Sequence, residues 1–398
     1  MSIDYENKIS QTVKAVPPSA IRKFFDLASE MKDVISLSIG EPDFVTPWSI
    51  REVGIDSLID GYTHYSPNSG YTDSKTAIAG YIKRRYGTDY DPDGQILITV
   101  GGSEGIDLAA RALIDPGDEV IIVEPCFVAY KAAVMFAHGV PVVVETTQEN
   151  DFKLKAEDLE AAITDKTKFI IIGFPSNPTG AVMDMEDLKP IRDVLMRHPD
   201  IIVISDELYC ELNYADDKPS SLIRFPELHD RVIMINGFSK SYAMTGFRIG
   251  YAAGPKELIA PMTKIHQYCI MSAPSTSQFA IIKAAAETGD SLIREMRDEY
   301  NHRRRVILKG LSDAGLECFV PYGAFYAFPS IRSTGLSSEE FCEKFLMNKG
   351  VAIVPGNAFG RCGEGHVRIS YAASMENIKT AMERIGEFAE EVRKGIIK

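Results

Sequence analysis

No stretch of this sequence approaches the roughly 20 consecutive apolar residues needed to cross a bilayer. Its first residues, with Asp4 and Glu6 and no apolar run, are unlike a secretory leader. Positive charge is also short. With 43 Lys and Arg against 56 Asp and Glu, the net charge of −13 argues against nucleic acid or an anionic membrane surface as a main partner. The six cysteines (126, 210, 269, 318, 342 and 362) include no Cys-x-x-Cys pair, and the seven histidines include no close pair. Buried free thiols are therefore expected rather than disulfides, and no zinc site is expected. A cytoplasmic protein binding small molecules fits these exclusions. Neither internal repeats nor low-complexity segments are present.

What the chain does have is a set of segments suited to one kind of chemistry. Asn236-Gly-Phe-Ser-Lys240 runs through a turn-rich stretch to Arg248. A lysine held out of water loses proton affinity and can attack a carbonyl, although most lysines are solvated surface charges. The run Ile201-Ile-Val-Ile204 reads as a strand of a parallel sheet with Asp206 just past its carboxyl end, where open α/β sheets bind ligands. A carboxylate there needs a buried positive partner such as a protonated pyridine nitrogen. Tyr209 could reach a second polar atom of the same ring; the plainer reading makes Asp206 a helix N-cap.

Gln95–Val100 reads as a strand, Gly101–Gly105 as a tight turn and Ile106–Leu113 as an amphipathic helix. Backbone amides and a helix start at such a turn favour a phosphate, with Arg248 as countercharge, but a simple chain reversal looks the same. The turn matches neither a nucleoside-triphosphate loop nor a dinucleotide fingerprint. Phe174-Pro-Ser-Asn177-Pro-Thr-Gly180 follows the strand Phe169–Ile172 and suits a rigid turn presenting the Asn177 amide, or an ordinary Asn-Pro turn. In Gly365–Tyr371 the alternation puts Arg368 opposite Val367 and Ile369, as a carboxylate fork or as a surface charge.

Taken together, these segments resemble the class I branch of the fold-type-I aminotransferases that use pyridoxal 5′-phosphate. The resemblance runs from Ser38-Ile-Gly40-Glu-Pro-Asp-Phe44 to Arg368. It implies that Lys240 holds the cofactor aldehyde, Asp206 pairs with the ring nitrogen, and Tyr209 and Asn177 bond the phenolic oxygen. Gly102, Ser103, Glu104, Ser239 and Arg248 would hold the phosphate. Phe127 would stack on the ring, Tyr65 would reach the phosphate of a neighbouring subunit in a homodimer, and Gly40, Asn177 and Arg368 would bind the substrate carboxylate. Two positions depart from the pattern. Gly237 stands where many relatives have a phosphate-binding serine, and Ser103 where some aspartate enzymes have a lysine. A dedicated aspartate enzyme is thus disfavoured. Ile21–Phe25, Ile265–Tyr268 and Ser66–Tyr71 more closely resemble the aromatic and acetyl-diaminopimelate group.

The implied fold is α/β, with a large domain built on a mostly parallel seven-stranded sheet and a smaller α+β domain. Alternating apolar runs and helical patterns place the large domain at 46–289, a C-terminal domain at 290–398 and an arm at 1–45 that joins the small domain. Ile293–Leu308 reads as one charged helix whose Arg303-Arg304-Arg305 run is a solvated face rather than an anion site, followed by strands at Ala324–Phe328 and His366–Tyr371. The expected reaction moves an amino group between an L-amino acid, aromatic or otherwise large, and a 2-oxo acid, with glutamate as amino partner. A carbon–sulfur β-lyase of the same fold would use the same lysine. A non-catalytic cofactor-binding regulator is a remote third reading, since no helix-turn-helix segment is appended.

Overall fold

A computed structural model describes residues 5–18, 31, 33–216 and 218–397; the Ile21–Phe25 segment lies outside them. Among the described residues, seven strands form one sheet in the order β2-β8-β7-β6-β5-β3-β4. They are β2 (Ile96–Thr99), β3 (Glu119–Glu124), β4 (Val140–Glu145), β5 (Thr167–Gly173), β6 (Ile202–Asp206), β7 (Val232–Gly237) and β8 (Gly250–Ala253). Every neighbouring pair is parallel except those made by β8, which runs antiparallel to β2 and β7.

The apolar runs are continuous because both faces of this sheet are covered. Ile121, Ile170, Ile172, Val203 and Met234 enter one core with Ile78, Ile82 and Ile191 from helices on that side. Their alternating neighbours Val120, Ile122, Ile171, Ile204 and Ile233 enter a second core with Ile106, Leu108 and Met262. The period-2 side-chain alternation of each strand thus fills two layers at once.

A third core holds Leu37, Tyr300, Ile307, Phe341, Phe345, Ile369, Ile385 and Phe388. It lies among the helices Asp290–Asp313, Ser338–Lys349 and Met375–Arg393 and a small antiparallel sheet of β9 (Tyr326–Ala327), β11 (Val354–Pro355) and β12 (Val367–Ser370). Strand β1 (Ile35–Ser36) pairs in parallel with β10 (Val351–Ala352), and Leu37 exchanges backbone bonds with Ala352 and Ser370. Residues 35–37 are thereby tied to this core.

Three local expectations need correction. The helix expected from Ile106 already begins at Gly101, and the glycines form its first turn. Glu104 makes this possible by accepting the Val100 amide at its own helix start. The strand expected over Ala324–Phe328 is only two residues long. Arg303 is no solvated face: it is buried, pairs with Asp43 at 2.7 Å and Glu299 at 2.8 Å, and lies over the Phe44 and Tyr300 rings. Its neighbour Arg304 packs on Tyr214 and Tyr322, and only Arg305 is exposed.

Candidate active site

The carboxyl ends of β5, β6 and β7 deliver Gly173, Asp206 and Gly237 to one edge of the large sheet, the usual ligand edge of an open α/β fold. Pairing of Gly237 with Gly250 closes the chain between β7 and β8, and this connection carries Ser239, Lys240, Thr245 and Arg248. These residues line a cavity of about 280 Å³ together with Gly40, Gly102, Ser103, Phe127, Asn177, Asp206, Tyr209 and Arg368. Eleven of the thirteen residues singled out in the sequence therefore converge there. Tyr65 is outside and 81% exposed, and Glu104 turns its side chain away, toward Val100 and His266.

The Lys240 ammonium donates to the Gly40 carbonyl at 2.7 Å. Burial lowers its pKa to about 8; Glu41 and Asp206 pull it up, while Arg368 and Arg248 push it further down. Burial thus moves the amine toward its neutral, nucleophilic form. Asp206 is opposite in sign: burial raises its pKa, against the hydrogen bonds and the charge of Lys240. Its donors are the Tyr130 hydroxyl at 2.6 Å and the Leu208 amide at 3.1 Å, both neutral. A carboxylate in such a place has room for a cationic partner.

Arg368 is 2% exposed, so the surface reading of this residue fails. Its guanidinium donates to Asn177 Oδ1 at 2.9 Å and to the Ser38 carbonyl at 2.5 Å, and lies between the rings of Tyr326 and Phe359. Its Nε is buried without a partner. Because Asn177 uses its oxygen on Arg368, its amide NH₂ is left to donate elsewhere. The turn that presents it is closed by Ser176 and Ala181 and by Gly180 and Ser176, each at 2.9 Å.

The helix Gly101–Leu113 points its start at the same cavity. A Cβ on Gly101, whose φ is +76°, would lie 2.7 Å from Arg248 Nη2, so glycine lets the guanidinium settle over the helix start. Backbone amides and a cation converge there as an anion cradle. The Asp206 carboxylate, hydrogen-bonded by neutral donors, and this cradle together fit a phosphorylated ring with a protonated nitrogen, and the unpartnered Arg368 Nε fits a further anion.

Several cavity residues went unnoticed in the sequence. Tyr130 lies three positions after Phe127, in edge-to-face ring contact with it, and that helical spacing was a usable signal. Tyr326, whose hydroxyl meets that of Tyr209 at 2.7 Å, had none, because it comes from the small sheet. Thr245 bonds Glu41 across the mouth.

A family model described as aminotransferase class I and II matches residues 32–385. The chain belongs to this family. The enzyme is 48% identical over 380 residues to the putative aminotransferase YugH of Bacillus subtilis, covering 96% of this chain and 98% of that one. It is 44% identical over 378 residues to an aspartate aminotransferase of Pyrococcus abyssi, covering 95% and 97%. Among solved structures, an aromatic aminotransferase from Pyrococcus horikoshii superposes with a TM-score of 0.89 at 42% identity, over 95% of this chain and 100% of that one. This aminotransferase thus transfers amino groups on the α/β frame described above, and the lyase reading is not favoured.

Proposed function

We propose that this aminotransferase is pyridoxal 5′-phosphate-dependent and moves the amino group of an aromatic or otherwise large L-amino acid to a 2-oxo acid. The observation that carries the reading is the buried Lys240 amine, with its pKa near 8, sharing one cavity with the Asp206 carboxylate and the Arg368 fork. When bound, the cofactor supplies an aldehyde that takes up the amino group and a ring that draws off an electron pair. Asp206 would hold its ring nitrogen protonated, Tyr209 and the Asn177 amide its ring oxygen, and Phe127 its face. Gly102, Ser103, Ser239 and Arg248 would hold its phosphate, with the Glu104 side chain fixing the helix start.

Arg368 and the Gly40 backbone orient the substrate carboxylate, so that Lys240 Nζ takes the α-proton from one fixed side. Lys240, Arg248 and Arg368 are the lysines and arginines that line the cavity, and each already has a role. Among the described residues no further cation lines it to meet a distal carboxylate, which favours an uncharged side chain. That is the chemical sense of Ser103.

A homodimer completes the reading. Val45, Trp48, Ile59, Tyr65 and Tyr268 are each more than half exposed, apolar surface that a second copy could cover. Tyr65 there would serve the partner's phosphate. The six unpaired cysteines, all among the described residues, support a cytoplasmic setting. We further divide the chain into an arm (1–45), a cofactor domain (46–289) and a small domain (290–398).

The test is to add single amino acids to purified enzyme without an oxo acid and follow the visible absorbance of the cofactor. Phenylalanine and tyrosine are expected to discharge the band stoichiometrically, at lower concentration than glutamate, the amino partner, whose distal carboxylate meets no further cation among the described residues. A chain with no such band, or one discharged by aspartate alone, would overturn the proposal.

A further inference from the structure

His266 lies on the helix Lys256–Cys269, 162 residues from Glu104, yet its Nδ1 meets Glu104 Oε1 at 2.8 Å. The ring is completely buried and its Nε2 has no partner, so this contact is the ring's hydrogen bond. A carboxylate only accepts, so Nδ1 carries the proton. The other oxygen of Glu104 accepts the Val100 amide.

A helix start has about four amides without intrahelical partners, here those of Val100, Gly101, Gly102 and Ser103. Glu104 takes the first. Gly102 and Ser103, which line the cavity, remain available. A carboxylate beside an anion cradle is otherwise a liability: released, its second oxygen can swing onto the remaining amides, and its charge opposes a phosphate. We propose that His266 is a positioning residue for phosphate binding, acting through Glu104: it holds the second oxygen away from the cradle and offsets part of the carboxylate charge. The inference rests on the cofactor reading above.

The test compares binding of pyridoxal 5′-phosphate and of unphosphorylated pyridoxal to the apo-protein, by equilibrium dialysis, for wild type and three variants. His266→Leu keeps the bulk and removes the donor. Its affinity for pyridoxal 5′-phosphate is expected to fall about tenfold, as for loss of one charge-assisted hydrogen bond, with pyridoxal unchanged. His266→Asn, whose amide nitrogen can stand near Nδ1, is expected to stay within about threefold of wild type. In a Glu104→Ala background, adding His266→Leu is expected to change nothing more, because the two act as one unit. Equal weakening of both ligands, or a full effect of His266→Leu in the Glu104→Ala background, overturns the role. If His266→Leu does not fold, the Asn variant decides: loss of phosphate-specific binding beyond tenfold there overturns the donor argument, and retention within threefold supports it. Wild type that bound neither ligand would overturn the cofactor reading itself, whereas wild type that bound both with no variant shifting their ratio would overturn only the role of His266.

Discussion

Asn177 Oδ1 accepts a hydrogen bond from Arg368 Nη1 at 2.9 Å, joining the turn after β5 of the large sheet to β12 of the small one. The two residues are 191 positions apart, and the elements that carry them feed different cores, Ile172 of β5 one and Val367 and Ile369 of β12 another. The guanidinium proposed to bind the substrate carboxylate is therefore held by a contact between the two sheets' elements. The Tyr326 and Phe359 rings, 4.6 and 4.7 Å from the guanidinium carbon, attract it and shield it from water.

Arg368→Lys is expected to lower kcat/KM by on the order of 100-fold, close to 3 kcal/mol, because an ammonium cannot replace a two-pronged fork. The ratio of kcat/KM for an amino acid to that for the amine lacking its carboxylate checks the cause. It should shrink in the variant; an unchanged ratio would mean that the carboxylate binds elsewhere.

The Asp206 carboxylate has neutral donors and a buried setting, so its charge is reserved for a cationic partner. Asp206→Asn keeps the shape and removes the charge. Turnover should fall on the order of 10³-fold, while the circular dichroism and part of the cofactor binding survive. Near-normal turnover would remove the assigned role.

Burial of Lys240 makes a pH-dependent statement about the apo-protein. Its folded pKa of about 8 lies below the usual 10.5, so between these values the unfolded chain binds more protons and stability rises with pH. Below about pH 8 the charged amine is buried at a cost that is fully present. Lys240→Met should therefore be more stable than wild type at pH 7, by roughly 1–3 kcal/mol in urea unfolding of the apo-forms. The gain should shrink as the pH approaches 10. The same variant should be inactive. An equal gain at pH 7 and pH 10 would contradict the burial argument.

Gly237, one of the two positions that depart from the family pattern, is packed against backbone. A Cβ there would stand 3.0 Å from both Gly250 Cα and the Ile249 carbonyl oxygen. Restoring a serine at this position is expected to destabilise the protein by about 1–3 kcal/mol through overpacking, and not to tighten cofactor binding. Measuring the urea midpoint and cofactor affinity of Gly237→Ser separates the two. Tighter binding at unchanged stability would show that the strands can part.

Strands such as β2, β5 and β6 were legible in the chain, as were Lys240, Asp206, Asn177, Arg248 and Arg368 as candidates, which the fold brings to one cavity. All but Arg368, which lies within β12, sit at the end of an apolar run or in a glycine- and proline-marked turn, where side-chain period and turn chemistry are local properties of the chain. The start of the helix at Gly101 was missed because Glu104, reaching back to Val100, overrides the glycines' preference for a turn. Only the tertiary structure decided which residues stand behind the site. Tyr130 meets Asp206 across 76 positions, Tyr326 meets Tyr209 across 117, and His266 meets Glu104 across 162. It likewise buried Arg368 and Arg303, which by pattern alone read as surface charges. Periodicity records which face of an element is apolar. It does not record which other element will cover that face, and the partners of a buried charge come from that covering element.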